Sequence, residues 1–521
     1  MKNSSSSSKW YVLAALLLLA ACFAVIYYFL FQPLTPQTSP VASTWPTREW
    51  ESCTPEEQGM DSAKLALALQ TMRAQDIDIH SLLVIRNGMI VCDAYFYPYD
   101  GTVPHDLASV TKSFTTTLAA VAAEQGKLNL DQPVLSFFPD RTIANRDDRK
   151  ERATVRSLAG MVSGFECMGF AQDEGTLDAM RNSSDWLKYA LDRPMEREPG
   201  TQFVYDSPGM HLISGVLQQA TGMSLLEYAR QNLFEPLGIK EVIWPADPQG
   251  YNHGWGDLHL LPRDAAKLGY LWQNGGLWEG RQLVPGDWVE NSVKLQIKTG
   301  GEDDYGFGWW VIDGDLGPEY AAIGRGGQRI HVLPSLSLII VTTGGGFDIN
   351  EIWPSLSPVL VDPQKPLPAN DAGAVQLQAA LAEIKKAPES QAIAPLPAMA
   401  RVISGKNYVL DANPMGLERV RLEFDGSDQA VLHISYSDKR ISPPQPIGLD
   451  GVYRLIPGDY GLPQGGRGYW LDEDTFIFEQ DRIANFDHNI FDVTFQGERI
   501  IIKGHKADHE LGIDLNGRME D

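Results

Sequence analysis

Ser109 and Lys112 stand three residues apart at the head of an apolar-periodic stretch, Ser109–Glu124. That spacing puts a hydroxyl and an amine on one helical face, close enough to exchange a proton. Such a pair activates a serine without histidine, provided the amine is neutral, a condition that burial or nearby positive charge supplies. Two further segments set polar groups in turns. Gly200-Thr-Gln-Phe-Val-Tyr205-Asp-Ser207-Pro-Gly209 places a tyrosine and a serine before a predicted helix, and Gly324-Arg325-Gly326-Gly327-Gln328 places a glycine cluster before a predicted strand. Each piece alone also fits a structural role: a solvated helix start with a capping serine, a core tyrosine, a β-bulge. There is no G-x-S-x-G elbow and no H-E-x-x-H pair, so an α/β-hydrolase or zincin lacks its first requirement. His253 and His259, which flank Trp255-Gly256-Asp257, are read as structural, and Trp309-Trp310 as packing.

The elements that must position these groups follow from the apolar pattern. Asp61 can cap a helix carrying Leu65, Leu69 and Met72, and Ser81–Ile85 and Met89–Phe96 flank an Asn87-Gly88 turn. Between about 100 and 290 the pattern is mostly helical (Ser109–Glu124, Met210–Gln219, Leu225–Asn232), and strands return at Ile330–Leu333 and Leu336–Thr343. A sheet built from both ends of a domain with helices inserted between is an α+β layout. Residues 362–400, with six prolines and many alanines around one possible helix at Val375–Lys386, read as a linker. Beyond it, short strands at Val420–Phe424, Val431–Ile434, Thr475–Phe478, Val493–Phe495 and Arg499–Lys503 alternate with turn signals. Residues 401–521 are therefore expected to form a small all-β barrel or sandwich, an independent domain that supplies no catalytic group.

Taken in order, Ser109-x-x-Lys112, Tyr205-x-Ser207 and the Gly-rich 325–327 segment resemble the three motifs of the serine β-lactamase and penicillin-binding superfamily. The likeness is to its class C-like esterases, D-aminopeptidases and 6-aminohexanoate-dimer hydrolases. Leu107–Ser113, Leu128–Pro133, Thr154–Leu158 with Ser163-Gly164, Pro236–Gly238 and Tyr305–Trp309 support it over roughly residues 49–350, within a predicted domain of 49–361. The resemblance implies a five-stranded antiparallel sheet flanked by helices, with a helical subdomain meeting the sheet at the cleft. It also implies roles: Ser109 attacks a carbonyl to form an acyl-enzyme, and Lys112 and Tyr205 shuttle the proton. The oxyanion would sit between the Ser109 N–H and a second N–H from Arg325, Gly326, Gly327 or Gln328, with Arg325 or Gln328 favoured. The family's second motif commonly ends in asparagine, so Ser207, with one donor and a shorter reach, makes β-lactam turnover the less expected activity. Arg325 stands where Lys, His or Trp is common, and either pairs with a substrate carboxylate or faces solvent. The implied substrate is a small amide, ester or peptide, with no metal or organic cofactor. A non-turnover sensor of cell-wall peptides or β-lactams is the alternative from another class.

Trp10–Phe31 is 22 residues without a charge, roughly 33 Å as a helix and long enough to cross a bilayer. Lys2 and Lys9 precede it and no charge follows until Arg48, so residues 1–9 are expected in the cytoplasm, and the body, after a linker at 32–48 whose first 16 residues are uncharged, outside it (periplasmic or extracellular). Leu19-Ala20-Ala21-Cys22 offers the rival of a lipidated cysteine. The formal charge of −24 would repel phosphate backbones, which excludes nucleic acid as a partner. Cys22, Cys53, Cys92 and Cys167 lack the C-x-x-C spacing of a zinc site.

Overall fold

Asp61 accepts hydrogen bonds from the amides of Ala63 and Lys64 and so starts α1 (Ser62–Ala74), as its side chain predicts. The hairpin that follows, β1 (Ile79–Arg86) and β2 (Met89–Tyr95), turns at Asn87 and Gly88, whose φ values of +49° and +79° match the twist of the strands they join. The computed structural model describes residues 45–168, 174–314, 316–506 and 510–520. The predicted anchor at 10–31 and Cys22 lie outside the described residues. Among those described, no helix is long and apolar enough to cross a membrane.

Five more strands complete the central sheet: β3 (Asp304–Tyr305), β4 (Trp310–Gly314), β5 (Gly317–Gly324), β6 (Gln328–Leu333) and β7 (Leu338–Gly344). The order is β2-β1-β7-β6-β5-β4-β3, antiparallel throughout. The sheet thus has seven strands rather than five, because β3 and β4 extend the edge beyond β5. β1 is buried along its whole length, since helices cover both faces. On one side Leu82, Val84 and Ile340 meet Leu65 and Leu69 of α1. Between the two halves of the sheet the chain forms α2 (Thr111–Glu124), α3 (Ser207–Thr221), which packs on α2, and α4 (Pro262–Gln273), which packs on the sheet's other face.

The expected linker at 362–400 is corrected by α5 (Asp371–Ile384), which lies along α1 and places Leu377, Ala380 and Ile384 in the same core as Leu65 and Leu69. The catalytic core therefore extends past the predicted boundary at 361. Leu377→Ala should destabilise by about 2–5 kcal/mol, the usual cost of emptying a buried leucine site, read as a lower denaturant midpoint with unchanged slope. An unchanged midpoint would show α5 to be a detachable linker helix.

Residues from 408 onward form a barrel. Its strands are β8 (Tyr408–Leu410), β9 (Leu417–Phe424), β10 (Gln429–Tyr436), β11 (Gln445–Gly448), β12 (Arg454–Pro457), β13 (Pro463–Trp470), β14 (Thr475–Asp481), β15 (His488–Gln496), β16 (Arg499–His505) and β17 (Glu510–Met519). Nine of them close through the Gly448–Arg467 pairing of β11 with β13, and β12 adds to β13 from outside. Alternate residues such as Val420, Leu422, Phe478, Val493 and Ile502 line its interior.

Candidate active site

The segment before α2 is bent into a 3-10 turn, Ala108–Val110, so Ser109 sits just ahead of the helix rather than inside it. Ala108 has φ +45°, a left-handed conformation uncommon for a residue with a Cβ, and local hydrogen bonds hold it there. Its N–H donates to Asp106 Oδ1 at 2.8 Å, and Thr111 Oγ1 donates to its carbonyl at 2.6 Å. The hydroxyl of Ser109 is left half-exposed at the base of a cleft of about 260 Å³.

One turn on, Lys112 is buried, and its Nζ donates to Ser109 Oγ at 2.8 Å and to the Trp255 carbonyl at 2.9 Å. The same nitrogen lies 4.7 Å from the centre of the Tyr205 ring. Trp255 is fixed by stacking on His253, 4.5 Å between centroids at 14°, and His253 Nδ1 is 2.6 Å from Asp257 Oδ2. His253 therefore acts as packing behind the carbonyl that holds the lysine, in line with its structural reading.

Tyr205 stacks on Trp310 of β4, 6.1 Å apart at 20°, and its carbonyl accepts from Cys167 Sγ at 3.4 Å. Ser207 opens α3 and also lines the cleft. Between them Asp206 caps α3 through the Gly209 N–H at 2.8 Å and forms a buried bidentate pair with Arg193, at 2.8 and 3.0 Å. That pair fixes the turn carrying Tyr205 and Ser207, and its motif position gave no hint of it.

The glycine segment is divided by the structure. Gly324 ends β5 so close to the serine turn that a Cβ there would lie 2.6 Å from the Leu107 carbonyl and 2.9 Å from the Ser109 nitrogen. Only glycine fits this approach. Arg325 follows directly and lines the cleft. Gly326 and Gly327 turn the chain away with φ +81° and +90° and face Phe486 and Phe347. Gln328 is buried with Nε2 on the Gly344 carbonyl at 2.6 Å, and its backbone pairs with Gly324 in the sheet. The structure thus gathers Ser109, Tyr205, Ser207 and Arg325 in the lining of one cleft, sets Lys112 buried behind Ser109, and leaves Gly326, Gly327 and Gln328 outside that lining. The expectation that Trp309-Trp310 only packs is half met. Trp309 is fully buried, while Trp310, one residue on in an alternating strand, faces the cleft.

Phe486 lines the cleft although it belongs to 401–521, the stretch expected to stand as an independent β domain. It comes from the loop joining β14 to β15, and the Arg325 guanidinium lies 4.5 Å from its ring centre. The loop is docked by the Asp106 N–H on the Ala484 carbonyl at 2.9 Å and by Asn485 Nδ2 on Asp106 Oδ2 at 3.0 Å. Beside it His488 Nδ1 lies 3.3 Å from Asp78 Oδ2. The barrel is therefore a wall of the cleft, not a domain apart from it. Among the described residues no cluster of three or more His, Cys, Asp or Glu could hold a metal ion.

Charge governs this docking. Burial opposes the His488 cation, but hydrogen bonds to Asp78 and Glu479 push its pKa up to about 10. Burial likewise opposes the Asp78 anion, yet His488 and His80 hold its carboxyl well below the usual range. The raised histidine contributes stability that is full below its unfolded value of 6.5 and is lost as pH rises through about 10. The lowered carboxylate contributes above its unfolded value of 3.8 and loses this as pH falls below it. His488→Gln should therefore lower the melting temperature most between about pH 4 and 6.5, where both contributions are full, with the gap to the parent shrinking above 6.5 and closed above about pH 10. A gap that does not change with pH would remove the ion pair from the docking.

An antiparallel sheet flanked by helices, with a Ser-x-x-Lys turn against the end of β5, defines the β-lactamase-like class of serine hydrolases. The Beta-lactamase family model matches residues 66–346, and the chain belongs to that family. It is 22% identical over 311 residues to the 6-aminohexanoate-dimer hydrolase of Paenarthrobacter ureafaciens, covering 56% of this chain and 79% of that one. It is 23% identical over 231 residues to a Beta-lactamase of Escherichia coli, covering 41% and 59%. Among solved structures, a Bacillus anthracis protein provisionally named as a 6-aminohexanoate-dimer hydrolase superposes with a TM-score of 0.51 at 19% identity, covering 62% of this chain and 89% of that one.

Proposed function

We propose that the protein hydrolyses a small amide, ester or peptide through an acyl-enzyme on Ser109. The observation that carries this is the 2.8 Å contact of the buried Lys112 amine with a half-exposed serine hydroxyl at the base of a cleft. Ser109 Oγ bonds to the substrate carbonyl carbon while its proton passes to Lys112 or Tyr205 and on to the departing amine or alcohol. Water then splits the acyl ester and releases the acid. The Ser109 and Arg325 amides flank the place where Gly324 closes on the serine turn, and so offer the two donors for the oxyanion. Trp10–Phe31 would tether the enzyme to a membrane with its catalytic body outside the cytoplasm. A fluorophosphonate and a fluorescent penicillin, followed in time, test the chemistry. Labelling of Ser109 by both is expected, with the penicilloyl label decaying as water attacks. A permanent penicilloyl label together with no hydrolysis of any ester or amide would make the protein a sensor instead.

A further inference from the structure

The barrel is not filled by its own side chains. Its interior keeps a cavity of about 630 Å³, lined mostly by aliphatic and aromatic residues, where a protein interior ordinarily packs without voids. The cavity has two unlike ends. One is closed by rings in mutual contact: Phe424 and Phe476 at 5.4 Å, Trp470 and Phe476 at 5.4 Å, Tyr408 and Phe495 at 5.6 Å. The other, where β14 runs into β15, is bordered by Gln464, Gln480, Arg482 and Asn489. An ion pair of Arg482 with Asp459, 3.3 Å, stands at that mouth.

The polar mouth opens toward the active site. Gly458, Asp459, Gln464 and Arg482 line both the barrel cavity and a second, polar cavity of about 340 Å³. Asp257, Arg325 and Phe486 in turn line both that second cavity and the Ser109 cleft. An apolar well, a polar vestibule and a nucleophile thus adjoin in series. A molecule matching this series is apolar at one end and polar at the other. The well is deep: the inward row from Asn489 to Phe495 runs about 20 Å along its strand at about 3.3 Å per residue. Such a shape suits an unbranched chain better than a ring system.

We propose that the barrel is a binding site for the alkyl chain of a single-chain amphiphile, whose polar head lies in the vestibule beside Arg482 and Arg325. The vestibule lining sets the guanidiniums of Arg325 and Arg482 and the amides of Gln464 and Asn485 beside the carboxylates of Asp106, Asp257, Asp459 and Asp487, and it is the donors among these that suit a carboxylate or an acyl amide carbonyl.

The full chain carrying Ser109→Ala, in which no turnover intervenes, is titrated with a dansyl-tagged undecanoic acid, and the probe is displaced by unbranched alkanoic acids of eight to sixteen carbons. The dissociation constant is expected to fall about fourfold per added methylene, equivalent to ~0.8 kcal/mol, until the chain fills the well. Val493→Trp and Ile434→Trp, which fill the well, should weaken the probe by about tenfold or more by excluding several methylenes. No binding of the probe, an affinity independent of chain length, or unweakened binding by a tryptophan variant that melts cooperatively would each overturn the proposal. The length series on the unfilled barrel decides the matter even if both tryptophan variants fail to fold. The chain's source is read with active enzyme, an arm that rests on the proposed hydrolysis. Inhibition of acetyl-ester hydrolysis that deepens with alkanoate length makes the chain the substrate's own, whereas binding without inhibition makes it a free fatty acid held as ligand; both support the site. Absence of acetyl-ester hydrolysis would count against the hydrolase reading alone and leave the binding series intact.

Discussion

Ser109→Ala is expected to abolish both turnover and covalent labelling, lowering kcat on the order of 10⁶-fold, the scale seen when a catalytic serine is removed from a working assembly. The size of the effect follows from the absence of a substitute. Ser113 is buried, with its hydroxyl donating to the Gly308 carbonyl at 2.5 Å, and Ser207, though it lines the cleft, stands at the start of a different helix. Stability should hardly move. The hydroxyl takes one hydrogen bond from Lys112, which keeps its second on the Trp255 carbonyl, so the loss is about 1 kcal/mol, a few degrees of melting temperature at most. Turnover, fluorophosphonate labelling and a thermal melt of the same preparation check it together. A folded alanine variant that still turned over substrate would move the nucleophile elsewhere.

What the sequence disclosed about this site was what is local. The Asp61 cap, the Asn87-Gly88 turn and the Ser109–Lys112 pair each depend on residues within four positions, and their side chains alone constrain the backbone. The groups that complete the site are not local. Trp255 acts through its carbonyl, which every residue possesses, so no residue type could mark it. Phe486 reaches the cleft from a barrel loop 377 residues beyond Ser109, and nothing in a loop's composition tells which cleft it will wall. β4 and β5 went unread because glycines and a proline break their alternation at 314–318. The reading of 362–400 as linker rested on its prolines, while α5 is held by α1, some 300 residues earlier, which a pattern along the chain does not register. The oxyanion question shows the same limit. Arg325 and Gln328 look equivalent in a glycine-rich run, and only the turn at Gly326 and Gly327 separates a residue at the cleft from one bonded into the sheet.

The lysine gives the second large effect. Lys112→Met keeps the length and apolar stem of the side chain but removes the only amine in contact with Ser109 among the described residues, and kcat/KM should fall about 10²–10⁴-fold, the ordinary worth of a positioned proton acceptor. The amine nitrogen offers the lone pair that takes the serine proton, and methionine offers no comparable base, so the methionine variant should run slow across the whole pH range. Lys112→Arg separates chemistry from scaffolding. A guanidinium can still donate toward the Trp255 carbonyl and keep a cation beside the Tyr205 ring, but it does not give up its proton, so an arginine that merely restored the scaffold would melt like the parent and remain slow. The methionine variant leaves the Trp255 carbonyl without its lysine donor, at a cost of about 1–3 kcal/mol, and a melt in parallel separates that loss from the kinetic one. Tyr205→Phe, which keeps the ring stacked on Trp310 and removes only the hydroxyl, should slow acylation with little change in stability. Near-parental rates in Lys112→Met would leave the hydroxyl–amine contact a structural one and end the assignment of Lys112 as the base.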